Sequence, residues 1–171
     1  MVKQFSGKTY ELDLDSQQNV EAMFDVYGVS DPSHKQVALK TKSRVTLTVD
    51  GDKYTETTQT GDHKRSVTFH LGEEFAEDIL GHKWKSSVSL KDDHTLLKVE
   101  KGEDGKTVTL EKSFSPQQLV VNKDPDNNLN KCFYSSDNSS SNSDINRPAK
   151  KNKVPVCPSD SEIKMKVVLF L

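Results

Sequence analysis

Through most of the chain, apolar and polar positions alternate with the period of β-strands. Between Thr107 and Phe114, Val108, Leu110 and Phe114 alternate with Thr107, Thr109, Glu111 and Ser113, giving one apolar and one wet face. Lys112 falls on the apolar face. An isolated buried ammonium is costly, so Lys112 points either into a wet interior that holds an anion or out to water at a barrel end. Upstream, Tyr10, Leu12 and Leu14 alternate in a first strand. The period then changes. Val20, Met23, Phe24 and Tyr27 stand at i, i+3, i+4 and i+7, predicting a helix behind Ser16 as N-cap that stops at Gly28. Asp31-Pro32 opens a second short helix over Ser33 to Lys40, with Val37 and Leu39 apolar.

From Arg44 onward short strands recur. Val45, Leu47 and Val49 lead to a hairpin at Asp50-Gly51-Asp52, and the return strand runs from Tyr54 to Gln59. Further inward rows are Val67, Phe69 and Leu71, then Trp84, Ser86, Val88 and Leu90, followed by the strand Thr95 to Lys101. Asp104-Gly105 turns the chain into the segment that contains Lys112. Many short strands, with helices only near the N-terminus, predict an all-β antiparallel barrel under a two-helix lid.

After Val121 the alternation fails. Asn122 to Asn128 lacks strand propensity, and Pro125 is expected to interrupt a ladder. Ser135 to Asp144 is too polar to pack. The expected division is a barrel over residues 1–134, its last strands unsupported by pattern after 121, and a low-complexity, disordered extension over 135–171.

Composition fits a hollow barrel. Of 171 residues 32% are hydrophobic and 29% charged, little apolar filling for a solid core. A formal net charge of -2 gives no reason to expect nucleic acid as a partner. Met1 precedes Val2, Lys3, Gln4 and Phe5 with no apolar run behind them, and no stretch is long enough to span a membrane, so a cytoplasmic protein is expected. Cys132 and Cys157 are too few for a disulfide framework or a zinc site and read as reduced thiols. His34, His63, His70, His82 and His94 show no metal-ligand spacing, and no nucleophile elbow, phosphate loop or dinucleotide fingerprint occurs. The expectation is a non-catalytic protein without cofactor or metal.

Several short matches add a family resemblance. Phe5, Gly7 and Tyr10, Asn19-Val20, Gly28-Val29, Gly51-Asp52, Leu71-Gly72-Glu73-Glu74-Phe75, Lys85-Ser86 and Asp104-Gly105-Lys106 follow one order and spacing. Over residues 5–121 the chain resembles the cytosolic fatty-acid-binding proteins, of the intracellular lipid-binding family related to lipocalins. The resemblance implies a ten-stranded clam-like barrel gated by the two helices and carrying a long-chain fatty acid or similar lipid, with retinoid and bile acid left open.

In that family two arginines and a tyrosine commonly hold the carboxylate. Lys112 falls at the first arginine, keeping a cation but losing its two-pronged geometry. Glu100 falls at a neighbouring glutamine and is expected to pair with Lys112, competing with the lipid. The second arginine and the tyrosine fall at Cys132 and Tyr134. Leu110 and Val121 on the inner face, with Phe24, Val29 and Val37 under the lid, are expected acyl-chain contacts, ordinary core packing being the other reading. His34 and Lys35 on the second helix imply transient contact with anionic membranes, and the carrier is expected to be a monomer. The alternative is a barrel-like interaction module or aberrant isoform that has lost lipid binding through its altered C-terminus.

Overall fold

The alternating segments all pair. A computed structural model describes residues 1–125 and 130–136, in which strands β1 (Thr9–Leu12), β2 (Ser43–Asp50), β3 (Lys53–Thr60), β4 (His63–His70) and β5 (Glu74–Ile79) are followed by β6 (His82–Leu90), β7 (Thr95–Gly102), β8 (Thr107–Phe114), β9 (Gln118–Pro125) and β10 (Asn130–Ser136). They form one antiparallel sheet in the order β4-β3-β2-β1-β10-β9-β8-β7-β6-β5. Pairing of β1 with β10 joins the first described strand to the last. β4 and β5 are the sheet's termini, with no ladder between them. Across that seam the rings of Phe69 and Phe75 stack at 5.8 Å, and Arg65 reaches Glu77 at 2.7 Å.

Two helices lie between β1 and β2. α2 (Pro32–Lys40) begins as expected: the Asp31 side chain accepts from the backbone N–H of Ser33 at 2.7 Å and of His34 at 3.4 Å, satisfying orphan donors, and Pro32 needs none. α1 (Val20–Val26) begins later than expected. Its N-cap is Asn19, at φ 55°, and Ser16 instead ends a 3-10 turn over Leu14–Ser16. The hydroxyl of Ser16 accepts the Phe133 backbone N–H at 2.9 Å, so the predicted cap is used on β10. Leu14 leaves the strand for the same turn. Gly28 ends α1 at φ 74°, where a Cβ would stand 3.3 Å from His82 Nε2, so both conformation and space favour glycine.

Three strand expectations change. β5 was not visible because Glu77 interrupts the apolar row of Phe75 and Ile79. β9 continues through Asn122 to Pro125, opposite Val108; at the strand's last residue proline's missing N–H breaks nothing. β10 runs to Ser136, two residues past the expected limit of the barrel, pairing Cys132 with Val121 and Tyr134 with both Leu119 and Leu12. Residues 137–171, most of the expected extension, lie outside the described residues.

The core forms two clusters. The larger gathers Phe5, Tyr10, Leu12, Phe24, Leu47, Phe69, Leu119 and Tyr134 among others, and the smaller joins Met23 and Tyr27 of the lid to Ile79, Trp84, Val108 and Leu110. Because β10 covers edges of both β1 and β9, a chain ended after residue 125 leaves two bare edges. Such a chain is expected to aggregate and to lose the cooperative urea transition of Trp84 fluorescence. A sharp transition with unchanged midpoint would show that the barrel closes without β10.

Candidate ligand cavity

The inward rows that build the core also carry charge. Glu56 on β3, Arg65 on β4, Glu77 on β5, Lys98 and Glu100 on β7, Lys112 on β8 and Lys123 on β9 each occupy the inward side of their strand. Enclosed charges need partners, because several kcal/mol of hydration is lost per ion. Lys112 Nζ bonds Glu56 Oε1, and their side chains are 12% and 19% exposed. Lys98 bonds Glu77 and, at 2.7 Å, Glu100. Glu77 also accepts from Ser86 and from Arg65 at 2.7 Å, while the Tyr27 hydroxyl donates to Glu100 at 2.6 Å. The Lys112–Glu100 pairing expected from the sequence is therefore not formed. Glu56, across the barrel, takes Lys112, and Glu100 is turned to Lys98 and the lid.

Ionisation follows from this pairing. Burial alone would raise the pKa of Glu56, but the attraction of Lys112 outweighs it and holds the carboxyl below the usual range. For Glu77 burial is likewise outweighed by Lys98 and by hydrogen bonds from Lys98, Ser86 and Arg65. Lys98 is held above its ordinary value because Glu100 and Glu77 overcome burial. Lys123 is different: burial lowers its pKa, the attraction of Glu100 does not restore it, and Lys112 and Lys98 push it further down. Burial raises the Tyr134 phenol, and it raises the Cys132 thiol against the pull of Lys123, so both stay protonated at neutral pH.

Glu56, Arg65, Lys98, Glu100, Lys112 and Lys123 bound a cavity together with Tyr27, Leu110, Val121 and Tyr134. About 60 Å³ of it is open to the centres of water-sized molecules. A narrower apolar compartment adjoins it under the β4–β5 seam, lined by Val67, Phe69, Phe75, Val88 and Leu96, and Glu56, Lys98 and Lys112 border both. The interior thus has a charged end and an apolar end.

The structure brings together Lys112, Glu100, Leu110, Val121 and Tyr134 of the expected site. Phe24 and Val29 are 3% and 7% exposed in the larger core cluster and do not line the cavity. Val37 is half-buried on α2, which buries Ala38 in its place. His34 and Lys35 face Asp31 at 3.9 Å and Asp25 at 2.9 Å. Sequence reasoning missed Tyr27, Glu56, Arg65, Glu77, Lys98 and Lys123, although each stands in an alternating row as Lys112 does or, for Tyr27, on the apolar face of α1.

The muscle fatty acid-binding protein of Schistocerca gregaria is 37% identical over 123 residues, 71% of this chain and 88% of its own length. The chain belongs to the fatty-acid-binding protein family. The fatty acid-binding protein of Tyrophagus putrescentiae is 35% identical over 109 residues, covering 63% of this chain and 81% of its own. The crystal structure of a fatty acid-binding protein from Drosophila melanogaster brain superposes with a TM-score of 0.68 at 26% identity, over 77% of this chain and 98% of that one. No protein-family profile matches the chain. Among the described residues no helix is long and apolar enough to cross a membrane.

The depressed carboxyls of Glu56 and Glu77 set a pH dependence. Each binds its proton less readily in the folded than in the unfolded chain, so stability is fully present above the ordinary glutamate value of about 4.3 and is lost as pH falls through the folded values. Urea midpoints are expected to drop below that pH. Glu77→Gln is expected to lower the midpoint at pH 7 and to make the acid decline shallower; an equally steep decline would place the titrating groups elsewhere.

Proposed function

We propose that the barrel is a non-catalytic, monomeric cytoplasmic carrier of a long-chain fatty acid, whose carboxylate lies between Lys112, Lys123 and Tyr134. The observation that carries this reading is the grouping of Lys112, Lys123 and Tyr134 at the charged end of a cavity whose other end is apolar. An anionic head group suits the lysines, and an acyl chain matches the row from Val67 to Phe75. The relatives are named fatty acid-binding proteins, which supports the ligand class. Closure of the barrel by β10 argues against a module that has lost its interior.

Magnitudes divide the work. Each buried methylene contributes about 0.8 kcal/mol, on the order of 10 kcal/mol for a long chain before entropy costs. A hydrogen bond to a charged group contributes about 1.5–3 kcal/mol. The chain supplies affinity and the lysines set orientation. Glu56 opposes them, because a carboxylate reaching Lys112 has to displace it. The large apolar side chains exposed among the described residues are Met1 and Leu90, which supports a monomer. Transient contact of α2 with anionic membranes belongs to the same reading, with the charge of His34 and Lys35 partly offset by Asp31 and Asp25.

Displacement of a fluorescent fatty acid tests the site. Lys112→Met and Lys123→Met are each expected to weaken a long-chain carboxylate about 10- to 100-fold and to spare the alcohol of equal length. Glu56→Gln is expected to tighten the carboxylate by freeing Lys112. Equal losses for acid and alcohol would make the lysines structural, and unchanged affinity in Glu56→Gln would remove the competition.

A further inference from the structure

We propose that the cavity takes, more tightly than a plain fatty acid, a single-chain lipid whose head carries an ammonium beside its carboxylate. The inference deepens the carrier reading and rests on it, since an acyl chain in the apolar compartment is what brings the head to the ions. One ion pair and its position carry it. Lys112 on β8 and Glu56 on β3 meet across the barrel in a single contact, with side chains 12% and 19% exposed. Both border the charged cavity and the apolar compartment. They stand at the junction where a head group lies once its chain is seated beside Phe69, Phe75 and Val88.

What a head group does to that pair depends on its charge. A plain carboxylate on Lys112 takes the place of Glu56 and leaves an enclosed carboxylate without its cation. It also adds a negative charge to the interior. Burial alone favours the uncharged form of Glu56, and Lys112 is the main attraction against it. A head with both signs exchanges partners instead: its carboxylate accepts from Lys112 Nζ while its ammonium donates to Glu56. One ion contact becomes two, every ion keeps a partner, and the net charge of the interior is unchanged. A bare alkylammonium meets the converse difficulty, since pairing with Glu56 strands Lys112.

The other interior ions do not offer this exchange. Lys98 is clasped by Glu77 and Glu100, and Glu77 also holds Arg65 and Ser86. A head entering there breaks the tie across the β4–β5 seam or disturbs the Glu100 that receives Tyr27 of the lid. The Lys112–Glu56 pair holds neither. The carboxylate of the zwitterion keeps the fatty acid's place beside Lys123 and Tyr134, which line the same cavity.

Four ligands of one chain length test this by calorimetric titration of the full-length protein at pH 7: tetradecanoate, 2-hydroxytetradecanoate, 2-aminotetradecanoate and tetradecylamine. The 2-hydroxy acid controls for the bulk of a polar group on the same carbon. The 2-amino acid is expected to bind about tenfold tighter than either other acid and than the amine. Glu56→Gln is expected to reverse the order, tightening tetradecanoate and weakening the 2-amino acid about tenfold, with the urea transition of Trp84 fluorescence checking that the variant is folded. A 2-amino acid no tighter than the 2-hydroxy acid in the unaltered protein overturns the inference whether or not the variant folds, and with tetradecanoate bound it leaves the carrier reading standing. Tight binding of the 2-amino acid without tetradecanoate binding does the reverse. Equal changes for the two acids in folded Glu56→Gln also overturn the inference, because Glu56 is then not the ammonium's partner.

Discussion

The structure depends on keeping ions inside a barrel without leaving any of them alone. Tyr27 bonds Glu100, Glu100 bonds Lys98, Lys98 bonds Glu77 and Glu77 bonds Arg65. This chain runs from the C-terminal end of α1 across β7 and β5 to β4. Removing one member of a buried pair costs about 3–5 kcal/mol, because the other charge stays enclosed and uncompensated. The network therefore fastens two places where backbone pairing does nothing: the lid, tied through Tyr27, and the β4–β5 seam, tied through Arg65 and Glu77. Phe69 on Phe75 adds an apolar contact beside the second tie.

A ligand anion enters that network as a competitor. Arg65 and Lys98 are committed to closing the seam, and displacing Glu77 from them would loosen it. Lys112 is committed to Glu56, which bridges β8 to β3 but holds no seam. The proposed place for a carboxylate, between Lys112 and Lys123 and beside Tyr134, leaves both ties of the seam intact.

Much of the barrel's layout was legible in alternation. Lys112 does face inward among Val108, Leu110 and Phe114, and its need for an anion is met. The same period places Glu56 between Tyr54 and Thr58, Lys98 between Leu96 and Glu100, and Lys123 two residues beyond Val121. Each breaks an apolar row, and so each reads at first as evidence against the row. That effect hid β5 and the end of β9. Which carboxylate meets which lysine was not legible, since Lys112 and Glu56 are far apart in sequence and meet only across the closed barrel. The helix cap was misread for a local reason: Ser16 satisfies a donor on β10 instead of one on α1.

The last two strands show why a fold outlives its sequence signature. Ladder hydrogen bonds use backbone groups, so β9 and β10 need only enough inward apolar contact to fix their register. Leu119, Val121, Cys132 and Tyr134 supply it, at 0–4% exposure. Chemistry is less forgiving. Where the family resemblance calls for an arginine on β10, this chain has Cys132, which carries no charge. The adjacent strand puts Lys123 on the same interior face, close enough for its charge to act on Cys132. The cation has moved one strand over. Unlike an arginine's guanidinium, its amine is pulled below its ordinary pKa by burial, so the relocated charge is held less firmly at this position.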